Sequence, residues 1–174
     1  MSKRRRGIYL LPNLFTTSAL FCGFYAIVAA INARFEAAAI AMFVAMFLDG
    51  IDGRIARMTN TQSDFGEQYD SLSDLVSFGL APALVMYQWS LYSLGKLGWL
   101  AAFVYAATTA LRLARFNTQA ATEDKQFFQG LPSPASAALL AGFIWLVVAN
   151  DLGDGSNLIA ITFHLTIAAG LLMV

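Results

Sequence analysis

An acidic segment, residues 49–74, lies between two apolar runs and limits what this chain can fold into. It holds six of the eleven acidic residues of the 174-residue sequence. The apolar run Ala37–Leu48 leads directly into Asp49, and the run Leu75–Met86 follows directly after Asp74. Carboxylates so close to membrane-type sequence are costly to bury and need a partner. The segment is therefore predicted to form a functional site.

Composition places the chain among the integral membrane proteins. Hydrophobic residues make up 58% of it and charged residues only 13%, and a soluble domain this apolar would expose large adhesive patches. The length favours a single domain covering residues 1–174. The single cysteine, Cys22, excludes an internal disulfide and a cysteine metal cluster.

Apolar runs of about 20 residues, the length that crosses the hydrocarbon core, recur along the chain. They predict an all-α membrane protein with six transmembrane helices, at residues 8–33, 36–58, 66–93, 97–117, 133–150 and 157–174. The first run has no clean small-residue cleavage site, so we interpret it as a retained span and not a signal peptide. Since the sequence stops at Val174 inside an apolar run, we also expect a truncated C-terminus.

Basic residues predict the orientation of these spans, because Lys and Arg concentrate on the cytoplasmic side. With the N-terminus inside, only Arg34 and Lys96 lie outside. Nine lie on the cytoplasmic side: Lys3, Arg4, Arg5, Arg6, Arg54, Arg57, Arg112, Arg115 and Lys125. Both termini and the acidic segment are therefore predicted to be cytoplasmic, with a polar cavity open to that side. The basic N-terminus is interpreted as a membrane anchor, and no nucleic-acid partner is expected.

The spacing of the aspartates indicates what the acidic segment could bind. On a helix, residues three or four positions apart share a face. Asp49 and Asp52 are therefore paired on one helix, and Asp70 and Asp74 on the next. Two helices that each offer two carboxylates could enclose hard divalent cations, which prefer oxygen ligands and often bind substrate phosphates as well.

The whole segment follows one pattern, D-x-x-D-G-x-x-A-R, eight residues, then G-x-x-x-D-x-x-x-D. The residues that carry it are Asp49, Asp52, Gly53, Ala56, Arg57, Gly66, Asp70 and Asp74. Every position resembles the signature of the CDP-alcohol phosphatidyltransferase family. The resemblance implies a homodimer of six-helix subunits that transfers a phosphatidyl group from a CDP-linked lipid to an alcohol and releases CMP.

The same resemblance implies roles for the matched residues. Asp49, Asp52, Asp70 and Asp74 would bind one or two Mg²⁺ or Mn²⁺ ions, two being favoured, and Asp74 would also act as general base on the attacking hydroxyl. The nucleotide would contact residues from both of these helices, namely Asp49, Gly53, Ala56, Arg57, Gly66 and Asp70. A pyrophosphate fits this scheme, since divalent cations must separate its charge from that of the carboxylates.

Other stretches resemble the bacterial and archaeal integral-membrane phosphatidylserine synthases. These are residues 12–16, 112–117 and 128–135, together with residues 70–79. They imply CDP-diacylglycerol and L-serine as substrates and CMP as a product. Candidate contacts to serine or phosphate are Asn13, Ser77, Arg112, Arg115, Asn117 and Ser133. Guanidinium groups bind carboxylates and phosphates bidentately.

Several alternatives remain open from the sequence alone. The acceptor could be glycerol 3-phosphate or an inositol phosphate, and the lipid could be a diacyl or a diether lipid. Arg112 and Arg115 could reach lipid headgroups instead, and Ser77 could serve helix packing. A divalent-cation transporter is a remote alternative, and so is simple pairing of the aspartates with Arg54 and Arg57. His164, in the last apolar run, is interpreted as a locally hydrogen-bonded side chain.

Overall fold

The computed structural model describes residues 10–59, 63–120, 130–153 and 155–174. These residues form helices and short connections, and no strand occurs among them. In chain order the α-helices are α1 (Leu10–Ile31), α2 (Phe35–Thr59), α3 (Asp64–Asp74), α4 (Ala81–Trp89), α5 (Lys96–Ala120), α6 (Ser133–Ala149) and α7 (Ile159–Leu171). A π-helical turn, Leu75–Leu80, joins α3 to α4, and a 3₁₀ turn, Leu91–Leu94, follows α4.

The helices coincide with the six predicted apolar segments to within a few residues, so the prediction of an all-α fold is confirmed. The third segment departs from a uniform α-helix, because the π-helical turn divides it. Its backbone stays right-handed throughout, from Asp74 (φ −60°, ψ −41°) to Ala81 (φ −61°, ψ −53°). Helices α3 and α4 therefore form one continuous rod with a wider turn in the middle.

Helices α1 and α2 form a close antiparallel hairpin. Buried alanines line both facing sides, including Ala26 and Ala30 on α1 and Ala38 on α2, and small side chains let two helix backbones approach closely. The hairpin turns at Ala33, whose φ of 55° is left-handed. The Arg34 N–H donates to the Ala29 carbonyl at 2.8 Å, a bond that closes the end of α1.

The remaining helices complete a bundle around a buried core. Helix α6 packs mainly on α2, and α7 mainly on α5. Tyr105 of α5, Met42 of α2 and Ile144 of α6 are fully buried between them. This arrangement brings the ends of α1, α2, α3 and α5 that carry polar residues to one end of the bundle.

The outer surface is apolar to a degree that water-soluble proteins do not show. Phe47 is 69% exposed, Phe21 66% and Phe103 60%. By length and composition, two of the described helices are suited to cross a membrane, over Asn13–Ile31 and Lys96–Thr118. Helices α6 and α7 are apolar but shorter, and the C-terminal half of α2 carries charged residues. Six membrane crossings and a cytoplasmic cavity therefore stay predictions.

Candidate active site

Three of the predicted aspartates come together between two helices. Asp49 of α2 and Asp70 and Asp74 of α3 each place a carboxylate oxygen within 4.8 Å of the other two. All three residues are half-buried. Three converging carboxylates are the oxygen donors that a hard divalent cation prefers. The donor set and its spacing thus fit the metal that the sequence pattern implies.

Helix α3 begins where local sequence provides a cap. Ser63 has an extended backbone (φ −142°, ψ 148°) and its hydroxyl accepts the Gly66 N–H at 3.1 Å. Such a bond satisfies one of the N–H groups that have no partner in the first turn of a helix. The cap sets the start of α3, and with it the positions of Asp70 and Asp74, which lie about two and three turns after Ser63.

Three side chains of α3 and the π-helical turn anchor this rod to α1. The Tyr69 hydroxyl shares a hydrogen bond with Thr17 (2.9 Å), and the Ser73 and Ser77 hydroxyls donate to backbone carbonyls of α1 at 3.1 and 3.2 Å. These residues recur every four positions, so they share one face of the helix. Asp70 and Asp74 each follow an anchoring residue by one position, which turns them away from α1 by about 100° and toward α2.

Ser77 takes part in this helix packing. Its side chain is fully buried and its hydroxyl donates to the Ala19 carbonyl. Helix α1 approaches so closely here that a Cβ on Gly23 would lie 2.6 Å from the Ser77 Cα atom. The geometry matches the packing alternative that the sequence left open for Ser77.

The signature glycines have different surroundings. A side chain at Gly53 would meet no described atom within 4 Å, and Gly53 lies one turn after Asp49 on α2. Gly66 is closer to its neighbours, because a Cβ there would lie 3.2 Å from Ser63 Oγ and 3.8 Å from Asn13 Oδ1. Asn13 is thereby located beside the start of α3. The side chains of Asp52, Ala56 and Arg57 lie outside the described part of the structure.

A cationic residue accompanies the carboxylate cluster. Arg112 of α5 donates from Nη1 to the hydroxyl of Ser133 at 3.2 Å, and Ser133 is buried at the start of α6. Asp74 lies near enough for its negative charge to attract the positive charge of the Arg112 guanidinium. The Nε atom of Arg112 is buried and has no hydrogen-bond partner among the described residues. A buried N–H of this kind is costly to leave unpaired, so this guanidinium has donor capacity for a ligand.

The other predicted contacts have partners within the protein. Asn117 forms hydrogen bonds with Ser71 (3.0 and 3.1 Å), which joins α5 to α3 beside Asp70. Arg115 donates to the Val174 carbonyl at 3.4 Å. Of the alternatives, the local bond of His164 is confirmed, since its Nδ1 lies 2.7 Å from the Ala160 carbonyl oxygen.

Two features of the site were not anticipated from the sequence. The sequence predicts an ordinary helix after Asp74, where the structure has the π-helical turn, and it assigns no role to Ser71. Pro82 was the available signal for the turn, because proline inside a helix removes a backbone donor and disturbs the regular bonding. No comparable local signal marks Ser71, whose role depends on a residue 46 positions away.

Fold and site together define an all-helical membrane protein with a carboxylate cluster between two helices and an arginine beside it. A sequence model of the CDP-alcohol phosphatidyltransferase family matches residues 9–173. The chain therefore belongs to that family, as its aspartate signature implied.

Several curated relatives carry the name CDP-diacylglycerol–serine O-phosphatidyltransferase. The protein from Helicobacter pylori is 44% identical over 133 residues, which cover 76% of this chain and 56% of the relative. That from Mycobacterium tuberculosis is 41% identical over 159 residues, 87% of this chain and 54% of the relative. That from Bacillus subtilis is 36% identical over 130 residues, which cover 75% of this chain and 72% of the relative. The chain thus spans about half the length of the first two.

Proposed function

We propose that this protein transfers the phosphatidyl group of CDP-diacylglycerol to the hydroxyl of L-serine, giving phosphatidylserine and CMP. The observation that carries the proposal is the convergence of Asp49, Asp70 and Asp74 on one point, within a chain of the CDP-alcohol phosphatidyltransferase family. Carboxylates alone would repel the negatively charged pyrophosphate of the substrate. Divalent cations between the two would therefore be needed for this cluster to bind it.

The residues proposed to hold Mg²⁺ or Mn²⁺ are the three converging aspartates together with Asp52. When bound, such ions withdraw charge from the phosphoryl oxygens and stabilise the departing phosphate. The space that a side chain at Gly53 would occupy is open. This supports an approach of the nucleotide to α2 at Gly53, which a side chain there would obstruct. Ala56, Arg57 and Gly66 complete the proposed nucleotide contacts.

Asp74 is proposed to be the general base. The serine Oγ attacks the lipid-linked phosphorus of CDP-diacylglycerol, and its proton passes to the Asp74 carboxylate. A new P–O bond to serine forms as the P–O bond to CMP breaks, and CMP leaves with the electron pair. A positioned carboxylate contributes about 10²–10⁴-fold to such a step. Asp74 suits this role because it belongs to the cluster of converging carboxylates and stands at the end of α3.

Serine is proposed as the acceptor on two grounds. The relatives that share 36–44% of residues carry serine in their names. In addition, serine has a carboxylate that needs a cationic partner, and Arg112 has a buried Nε donor available beside the Ser133 hydroxyl. Asn13, Arg115, Asn117 and Ser77 stay weaker candidates, and the last three already form hydrogen bonds within the protein.

The family and the apolar outer surface support a membrane setting for this reaction. The protein is embedded in the cytoplasmic membrane, with the acyl chains of the substrate among the membrane lipids and the site on the cytoplasmic side. Both termini are proposed to face the cytoplasm, and the functional unit is proposed to be a homodimer.

The test is CMP release by the purified protein with CDP-diacylglycerol and Mn²⁺, with L-serine, glycerol 3-phosphate and an inositol phosphate offered separately. Asp74→Asn removes the base, and Asp151→Asn, in the exposed connection after α6, serves as matched control. Serine-dependent release that only Asp74→Asn abolishes supports the proposal. Release with a phosphorylated acceptor would replace serine by that acceptor. Absence of release with every acceptor would reject the transferase and favour the transporter alternative.

A further inference from the structure

The π-helical turn Leu75–Leu80 begins directly after Asp74 and connects α3, which carries Asp70 and Asp74, to α4. Within it the Ala81 N–H donates to the Val76 carbonyl, five residues back, where an α-helix would use the residue four back. The turn therefore contains one residue more than an α-helical turn. Such insertions are found frequently at functional sites.

The extra residue has a geometric consequence for Asp70 and Asp74. Each residue of an α-helix turns the chain by about 100°. Helix α4 is held in the core by buried side chains that include Val85 and Met86. If the turn relaxed to α-helical geometry, α3 would rotate by about that angle relative to α4. The carboxylates of Asp70 and Asp74 would then no longer face Asp49.

Helix α5 is docked onto this turn at two residues. The Tyr105 side chain is fully buried and its hydroxyl donates to the Phe78 carbonyl at 3.2 Å. One helical turn later, Thr109 packs so closely on Gly79 that a Cβ there would lie 3.1 Å from its methyl carbon.

The sequence explains why the Phe78 carbonyl is available to Tyr105. In an α-helix the carbonyl of residue 78 would accept the N–H of residue 82, but residue 82 is proline and has no N–H. The Tyr105 hydroxyl supplies a donor in its place. The proline prevents the α-helical bond, and the tyrosine stabilises the alternative.

We propose that Tyr105 is a positioning residue for the metal-binding aspartates, because its hydrogen bond to the Phe78 carbonyl holds the π-helical turn that orients Asp70 and Asp74. The proposal rests on the proposed binding of divalent cations by these aspartates. It assigns Tyr105, which lies outside the aspartate signature, a role in building the site.

Tyr105→Phe is the direct test, since it deletes one hydroxyl and keeps the ring in the core. The probe is Mn²⁺ alone, titrated into the purified protein while free Mn²⁺ is followed by electron paramagnetic resonance. The control is Thr166→Val, which removes another fully buried hydroxyl, one that donates to the Thr162 carbonyl within α7. Asp70→Asn identifies the measured site as the aspartate cluster.

Tyr105→Phe is expected to raise the Kd for Mn²⁺ about tenfold or more, as loss of residues that orient metal ligands does elsewhere. In the metal-free protein it is expected to speed hydrogen exchange of the amides of residues 75–81. Thr166→Val is expected to lower the unfolding temperature without either effect. An unchanged Kd and unchanged exchange in a folded Tyr105→Phe protein would overturn the proposal.

Pro82→Ala provides a second variant that leaves Tyr105 in place, although it trims the ring of a buried proline. It returns an N–H to residue 82 and lets the turn relax to α-helical geometry, so it is also expected to weaken Mn²⁺ binding. Unchanged Mn²⁺ binding in this variant would contradict the role of the turn, even if Tyr105→Phe failed to fold. If the unmodified protein bound no Mn²⁺ in the aspartate cluster, the proposed metal function would fail first, and this inference with it.

Discussion

Ser71 and Asn117 exchange hydrogen bonds across the space between α3 and α5, at 3.0 and 3.1 Å. Ser71 directly follows Asp70, and Asn117 lies in the same helix as Arg112. The pair therefore links the helix that carries two of the clustered carboxylates to the helix that carries the neighbouring cation. It ties the two halves of the candidate site together.

We expect Ser71→Ala and Asn117→Ala each to lower the free energy of unfolding by about 1 kcal/mol, the net value of a typical hydrogen bond. Because each residue is the partner of the other, the double variant should lose less than the sum of the two single losses. Reversible unfolding of the four proteins in detergent measures this coupling. Strictly additive losses would show that the bond contributes nothing to stability.

Gly53 is expected to be required for access of the nucleotide and not for folding. Gly53→Leu should stabilise α2 by up to about 1 kcal/mol, since leucine favours helix more than glycine does. It should also raise the KM for CDP-diacylglycerol about tenfold or more, the effect of a clash worth 1–3 kcal/mol. Steady-state CMP release measures the KM.

The matched control for Gly53 is Gly50→Leu. A side chain at Gly50 also meets no described atom within 4 Å, and Gly50 lies outside the proposed nucleotide contacts. It should gain the same stability with little change in KM. Equal KM values for the two variants would argue against nucleotide approach at Gly53.

Gly23 is expected to tolerate no side chain. Its added Cβ would lie 2.6 Å from the Ser77 Cα atom, a backbone atom that cannot move alone. Gly23→Ala should therefore cost about 1–3 kcal/mol through overpacking and should separate α1 from the π-helical turn. Gly142→Ala is the control, because its nearest neighbour is a Phe43 ring carbon at an ordinary 3.8 Å. Thermal unfolding of both variants tests the difference, and equal stability would contradict the close packing.

Arg112 is expected to set the affinity for the acceptor. Arg112→Lys keeps the charge but loses the planar fork that binds a carboxylate bidentately. The KM for serine should rise about tenfold, which corresponds to about 1.4 kcal/mol and lies near the lower end of what a hydrogen bond to a charged group contributes. The KM for CDP-diacylglycerol should stay the same. Arg115→Lys serves as comparison. A rise in the KM for the lipid instead would assign Arg112 to the pyrophosphate.

Much of this protein follows from local sequence. Apolar runs specify where helices form, because a chain with few polar side chains must satisfy its backbone groups within each segment. The helices accordingly lie where the hydropathy of the chain predicted them. The spacing of Asp70 and Asp74 also places them on one face by helix geometry alone. Together these features indicated both an all-helical fold and an acidic site.

Tertiary packing decided the rest, because it depends on contacts between residues that are far apart in the chain. Whether Asp49 reaches Asp70 and Asp74 depends on how α3 is rotated, and that rotation is set by Ser73 and Ser77 against α1 and by Tyr105 against the Phe78 carbonyl. Ser77 looked equally suited to a ligand or to packing until the proximity of Gly23 placed it between helices. A pattern of residue types specifies which groups are present on a helix face, and only the packed bundle specifies what that face meets.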